Sequence, residues 1–200
     1  VYLAYLVGEA RARLRARSVD LVAAPWVLAV VAAVWYGLGM SAAATLPIGF
    51  GLVLPFMAFP LTLGVAMTFW GPVRELLREI PTVPLVALQV YRVAGGVFLY
   101  PYMVEGVLTP GFSWPAGVGD ILTGVAAAPV AWMAAKRMRG WTAAVVVHAL
   151  FGIADLIVAP ASAAAFGFAM EGVQPAFPIT SIPLFFGPPL GILLHLVTLR

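Results

Sequence analysis

Seven polar or charged side chains interrupt stretches of sequence that are otherwise apolar, and their chemistry could serve a function. They are Gln89, Arg92, Glu105, Asp120, His148, Asp155 and His195. Placing a charged side chain in the hydrocarbon of a membrane costs about 2.5–3.5 kcal/mol on insertion scales, and such residues commonly relay protons or bind ions and solutes. We therefore take these seven as the candidate residues of a ligand site or ion pathway.

Helix rise sorts the candidates into two layers. At about 1.5 Å per residue, Arg92, His148 and His195 lie about 8–12 Å inside the helix ends on the side of the Lys and Arg clusters. With their neighbour Gln89, they make an inner layer of Gln89, Arg92, His148 and His195. The outer layer consists of Glu105, Asp120 and Asp155.

Arg92 requires an acceptor at its depth. His148 and Asp155 are seven residues apart and share one helix face, which indicates that this face looks into a helix bundle. The vertical gap between Arg92 and Asp155 is about 9 Å by helix rise. An ion pair of Arg92 with Asp155 or Asp120 is the preferred interpretation. The alternative has Arg92 extending toward the headgroups.

Three functions are compatible with these residues. Carboxylates and histidines beside Pro-interrupted helices favour binding of a small solute or proton-coupled transport, with His148 and Asp155 relaying protons and Arg92 anchoring an anionic group. A second hypothesis is a structural or accessory subunit of a membrane complex, in which buried polar groups join helices. A third is a redox protein that binds haem b through His148 and His195; no other cofactor is predicted.

An enzyme is the less favoured interpretation. The sequence contains neither HExxH nor GxSxG, and its serines have no base nearby, so no catalytic residue is predicted. The chain has no Cys, which excludes thiolate metal sites and disulfides. A metal role is predicted only for His148 and His195, and only as haem ligands.

Positive charges are confined to a few places, and these predict the topology. Ten of the eleven Lys and Arg residues are Arg11, Arg13, Arg15, Arg17, Arg74, Arg78, Lys136, Arg137, Arg139 and Arg200. Between these clusters lie pairs of apolar segments of about 20 residues, the length that crosses a bilayer. Because cytoplasmic loops are enriched in Lys and Arg, the pattern places the clusters and both termini on the cytoplasmic side of the membrane.

The predicted fold is an all-α polytopic bundle of six transmembrane helices. The segments cover residues 21–40, 48–70, 85–108, 116–135, 141–159 and 181–199 of a single domain spanning 21–200. Residues 1–20 form a basic cytoplasmic or interfacial lead-in; a truncated preceding helix is the alternative. Between the segments we expect a surface helix over 73–80, an external turn over 109–115 and an interfacial helix around 161–170.

Composition supports the membrane class. The chain is 63% hydrophobic and 10% charged, with a mean hydropathy of +1.04, and a soluble fold could not bury so much apolar surface. The predicted partner is the lipid bilayer. The net charge of +3 lies in the loop clusters and indicates contact with the membrane surface and not with nucleic acid. A homo-oligomer or a partner in a membrane complex is left open.

Several sequence runs carry a resemblance. They are Gln89-Val90-Tyr91-Arg92, residues 115–120 (PAGVGD), residues 152–156 (GIADL), and the Pro-punctuated stretch from Phe177 to Leu196. Over residues 88–200 the chain resembles a widespread family of small bacterial multi-pass membrane proteins without an assigned activity. The resemblance implies that Arg92, Asp120, Asp155 and His195 belong to a family pattern. It implies no reaction, ligand or cofactor.

Overall fold

The computed structural model describes residues 71–173 and 191–199, together with Thr62, Val65, Ala66 and Phe69. The predicted segment 21–40, most of segment 48–70 and the first part of segment 181–199 lie outside the described residues. The described part is all-α apart from one isolated antiparallel bridge between Leu108 and Ala169.

The first helices follow one another closely along the chain. Helix α1 (Gly71–Glu79) occupies the region predicted as a surface helix. Helix α2 (Thr82–Leu88) continues into a 3₁₀ helix (Gln89–Phe98) and then a π-helical turn (Pro101–Glu105). Pro101 has no backbone N–H and cannot donate the usual helical hydrogen bond, which accounts for the change of winding at this point.

Two long helices and a short one complete the described bundle. Helix α3 covers Pro110–Ala135, helix α4 covers Trp141–Phe166, and helix α5 covers residues 191–198. Three stretches are long and apolar enough to cross a membrane: Thr82–Glu105, Pro110–Ala135 and Trp141–Phe166, of 24, 26 and 26 residues. They overlap the predicted segments 85–108, 116–135 and 141–159.

Two predicted connections are helical in the structure. Residues 110–115, predicted as an external turn, form the start of α3, because Pro110 occupies the first helical position, where its missing N–H costs nothing. Residues 161–166, predicted as part of a separate interfacial helix, extend α4. That helix ends at Gly167, whose φ of +78° departs from helical geometry.

The bundle has a basic end and an acidic end. The basic end is the turn between α3 and α4, which carries Lys136, Arg137 and Arg139. The acidic end carries Glu105 and Glu171, beside the loops joined by the Leu108–Ala169 bridge. The backbone N–H of Met170 donates to Val107 O at 3.0 Å and ties these loops together.

Apolar clusters fill both ends of the described bundle. Toward the basic end they consist of Val86, Ala131, Ala134 and Val145, and of Leu85, Leu194 and Val197. Toward the acidic end the cluster consists of Phe98, Leu108, Phe112 and Ala116. Here the rings of Phe98 and Phe112 meet edge to face, with centroids 5.4 Å apart. Most of the polar side chains predicted as a site lie between these clusters.

Candidate functional site

The 3₁₀ helix sets one row of side chains into the bundle. Its buried residues are Gln89, Arg92, Gly95 and Phe98, which are spaced three apart. A 3₁₀ helix has three residues per turn, so residues at this spacing lie directly above one another. The row brings the Arg92 side chain between α3 and α4, where the residue is only 2% exposed.

Arg92 binds two carboxylates from two different helices. Its Nε donates to Asp120 Oδ1 at 2.7 Å, and its Nη2 lies 2.5 Å from the same oxygen. Nη2 also donates to Asp155 Oδ2. The predicted ion pair is confirmed, with both named carboxylates taking part. The alternative orientation of Arg92 toward the headgroups is wrong, because the buried carboxylates offer stronger acceptors than an extended side chain would find.

The third guanidinium nitrogen also has acceptors. Nη1 of Arg92 donates to the carbonyl oxygen of Gly152 at 3.1 Å and lies 3.5 Å from His195 Nε2. Every nitrogen of the guanidinium is therefore engaged. The bonds join the 3₁₀ helix to α3 and α4, and the contact with His195 reaches α5.

The ion cluster, defined as Arg92, Asp120 and Asp155, holds more negative than positive groups. One guanidinium faces two carboxylates, so the cluster carries one net negative charge when both are ionised. The Asp155 side chain is 6% exposed and the Asp120 side chain 19%. Because a buried charge without a counter-charge is expensive, the excess charge is the main electrostatic feature of this site.

His148 and His195 lie beside each other next to the ion cluster. Their ring centroids are 5.5 Å apart and both residues are buried. His148 Nε2 lies 3.1 Å from the carbonyl oxygen of Thr123. A carbonyl only accepts hydrogen bonds, so Nε2 of His148 carries the proton and donates it. In the neutral ring Nδ1 is then an acceptor.

This arrangement does not fit axial ligation of a haem by both histidines. Such ligation requires one nitrogen from each ring to point at a shared iron. Nε2 of His148 points instead at the Thr123 carbonyl, and Nε2 of His195 faces the Arg92 guanidinium, whose positive charge repels a metal.

Glycines make room for the polar side chains. A Cβ added at one of three glycines would overlap a polar side chain of the neighbouring helix. The pairs are Gly95 with Asp120, Gly119 with Asp155, and Gly152 with His195. A Cβ at Gly124 would meet the backbone of Val93. Close approach of helices at these small residues leaves room for the polar side chains of the site.

The structure brings most of the predicted residues together. Arg92, Asp120, His148, Asp155 and His195 form one group, so the two predicted layers merge. Gln89 is fully buried in the same row as Arg92, one turn toward the basic end. Glu105 is exposed at the end of the π-helical turn and lies apart from the group.

Thr123 is a site residue that the sequence analysis missed. Its carbonyl accepts the His148 bond, and its hydroxyl donates to Gly119 O at 2.9 Å, which anchors the side chain to its own helix. The available signal was its position three residues after Asp120 on an otherwise apolar helix.

Comparison with known proteins gives a family and no activity. No curated protein and no solved structure matches the chain. A family model described as a domain of unknown function, DUF8737, matches residues 47–200. That range contains every residue of the site and most of the chain. The chain therefore belongs to the DUF8737 family.

Proposed function

We propose that the chain is a six-helix protein of a bacterial inner membrane, with both termini cytoplasmic, which transports a small solute together with a proton through the ion cluster. Three helices of spanning length support the multi-pass class. The basic turn between α3 and α4 supports a cytoplasmic position for that end of the bundle.

The observation that carries the proposal is the sharing of one guanidinium by two carboxylates. The cluster has an excess of one negative charge in surroundings closed by apolar clusters at both ends. Binding one proton neutralises it. Alternation between a neutral and a charged buried site is the elementary event that proton-coupled carriers require.

The bonds of Arg92 support coupling to an anionic solute. With both carboxylates ionised, the guanidinium has no free nitrogen to offer a second anion. Protonation of Asp120 removes a charge-assisted acceptor and releases donors on Arg92. An anionic group then takes the place of the carboxylate, so proton and anion favour each other's binding. Asp120 is the more exposed of the two carboxylates, with a side chain 19% exposed against 6% for Asp155, and is therefore the one proposed to exchange with the solute.

Infrared spectroscopy and reconstitution test this function. Infrared difference spectra between acidic and alkaline pH should show the C=O stretch of a protonated carboxyl that disappears in Asp120→Asn or Asp155→Asn. In liposomes that hold an inward pH gradient, a panel of small anions (inorganic phosphate, sulfate and short dicarboxylates) should include one that accelerates proton entry above the protein-free level, and the same variants should lower that rate. Glu105→Gln, which alters an exposed carboxylate outside the cluster, should change neither result.

Two outcomes would overturn the proposal. If Asp120 and Asp155 both stay ionised wherever the protein is folded, the site does not bind protons. If a carboxyl band appears but none of these anions accelerates proton entry, the site binds a proton but does not transport it with an anion.

A structural or accessory role is the second candidate. Its support is that Arg92 bonds to α3 and α4 and contacts α5, so this one side chain holds four helical elements together. A purely structural cluster predicts ionised carboxylates and no anion-dependent proton entry, whereas the loss of stability in Arg92→Gln is expected for either function.

A further inference from the structure

Three polar atoms next to the ion cluster have no hydrogen-bond partner among the described residues. They are Nε2 and Oε1 of Gln89 and Nδ1 of His148. Gln89 is 0% exposed and His148 is 4% exposed. Leaving a buried polar group unpaired costs about 1–3 kcal/mol. Two buried side chains with this deficit, both on the basic-end side of the ion cluster, indicate a bound polar molecule, because such groups are ordinarily satisfied by ordered water.

The unpaired atoms restrict the chemistry of that molecule. Nδ1 of His148 is an acceptor, because Nε2 carries the ring proton toward Thr123. Gln89 offers a donor in its NH₂ group and an acceptor in its carbonyl oxygen. The bound molecule must therefore both donate and accept hydrogen bonds. A metal cation cannot donate and a carboxylate or halide cannot donate either, whereas water does both.

These atoms lie on one side of the ion cluster. Gln89 precedes Arg92 by one 3₁₀ turn, a rise of about 6 Å toward the basic end. His148 precedes Asp155 by seven residues, about 10 Å in the same direction. The ring of His148 contacts that of His195, whose Nε2 faces Arg92. Beyond them lies the apolar cluster of Leu85, Leu194 and Val197.

We propose that Gln89 and His148 hold bound water that relays protons to the carboxylates of Asp120 and Asp155 from the basic-end side of the ion cluster, inside the apolar cluster of Leu85, Leu194 and Val197. This inference rests on the proposed function and adds the side of the ion cluster from which protons arrive. In each hop one O–H bond breaks and one forms, so the water molecules are regenerated and one proton reaches a carboxylate oxygen. The charged and titratable groups that face this route are Arg92, Asp120, Asp155, His148 and His195.

Infrared difference spectra recorded in H₂¹⁶O and H₂¹⁸O detect such water directly. The intact protein should show at least one water O–H band that shifts in H₂¹⁸O. Gln89→Met keeps the length of the side chain without its amide. His148→Gln keeps a donor for the Thr123 carbonyl but lacks an acceptor at Nδ1. Each variant should lose the band and slow hydrogen–deuterium exchange of the carboxyl by about tenfold, the effect of one lost hydrogen bond on a barrier.

Ser113 provides a matched control. Its hydroxyl is also fully buried and without a partner among the described residues, but it lies in α3 seven residues from Asp120 toward the acidic end. Ser113→Ala should leave the water band and the exchange rate unchanged.

The outcomes separate this inference from the proposed function. A carboxyl band without any H₂¹⁸O-sensitive band overturns the water route and leaves the proton site intact. Loss of the water band in Ser113→Ala places the water on the other side and overturns it as well. Unchanged exchange in both Gln89→Met and His148→Gln has the same consequence. Absence of the carboxyl band refutes the proposed function itself.

Discussion

Oδ1 of Asp120 accepts a hydrogen bond from Nε of Arg92 at 2.7 Å, across 28 residues of sequence. The same guanidinium holds Asp155 on the next helix. Arg92 is therefore the only positive charge of the ion cluster. When a proton neutralises one carboxylate, the other still balances the charge of the guanidinium. This asymmetry means that the three residues respond differently to substitution.

Loss of Arg92 should be the most damaging single change in the cluster. Arg92→Gln leaves two buried carboxylates without a counter-charge, so we expect the free energy of unfolding to fall by about 3–5 kcal/mol. Thermal unfolding of the purified protein in detergent measures this. Arg78→Gln removes an exposed Arg of α1 and should change stability by no more than about 0.5 kcal/mol. Equal stability of the two variants would contradict a buried ion cluster.

The two carboxylates should show strong non-additivity. Asp120→Asn or Asp155→Asn alone leaves a balanced pair and should cost no more than about 1 kcal/mol. The double variant leaves Arg92 buried and unpaired, so its loss should exceed the sum of the single losses by about 2–3 kcal/mol. A double-mutant cycle of unfolding free energies gives this difference. Additive losses would show that the carboxylates do not share the guanidinium.

Gly152 should not tolerate a methyl group. The Cβ of Gly152→Ala would overlap the imidazole of His195 and push α5 away, which we expect to cost about 1–3 kcal/mol. Gly71→Ala is the matched control, because no atom lies within 4 Å of the added Cβ. Alanine there favours the helix. If melting temperatures show Gly152→Ala to be as stable as Gly71→Ala, α5 does not pack on α4 in this way.

The chain lacks Cys, which makes topology directly measurable. With a membrane-impermeant maleimide added to intact cells, Glu171→Cys should be labelled and Arg139→Cys should react only after the membrane is opened. Both positions are exposed in the structure. The positive-inside rule is the physical reason for this orientation. Labelling in the opposite order would invert the proposed topology and the direction of the water route.

Purified protein should lack the Soret absorption of haem. Nε2 of His148 is directed at the Thr123 carbonyl and Nε2 of His195 at Arg92, so these two atoms do not face a shared iron. An absorption spectrum of protein from haem-supplemented cells measures this. A Soret band that disappears in both His148→Ala and His195→Ala would show that the rings reorient to bind haem.

The sequence was sufficient to identify Arg92 as a buried cation with Asp120 or Asp155 as its partner, because helix rise left a gap to Asp155 of about 9 Å, which a long Arg side chain can nearly close. It was not sufficient to show that both carboxylates bind at once. The depths assumed an α-helical rise of about 1.5 Å, whereas a 3₁₀ helix rises about 2.0 Å per residue and carries Arg92 closer to the carboxylates. Neither the winding of this segment nor the missing partners of Gln89 follow from residue types alone.

The winding of Gln89–Phe98 also determines where polar groups stand relative to one another. Ten residues in 3₁₀ form extend about 5 Å further than the same ten in α form, and each turns about 120° instead of 100°. Conversion to an α-helix would shorten the segment and spread Gln89, Arg92 and Phe98 over different faces. In this segment the length and the side-chain directions therefore change together, and the ion cluster requires the 3₁₀ form.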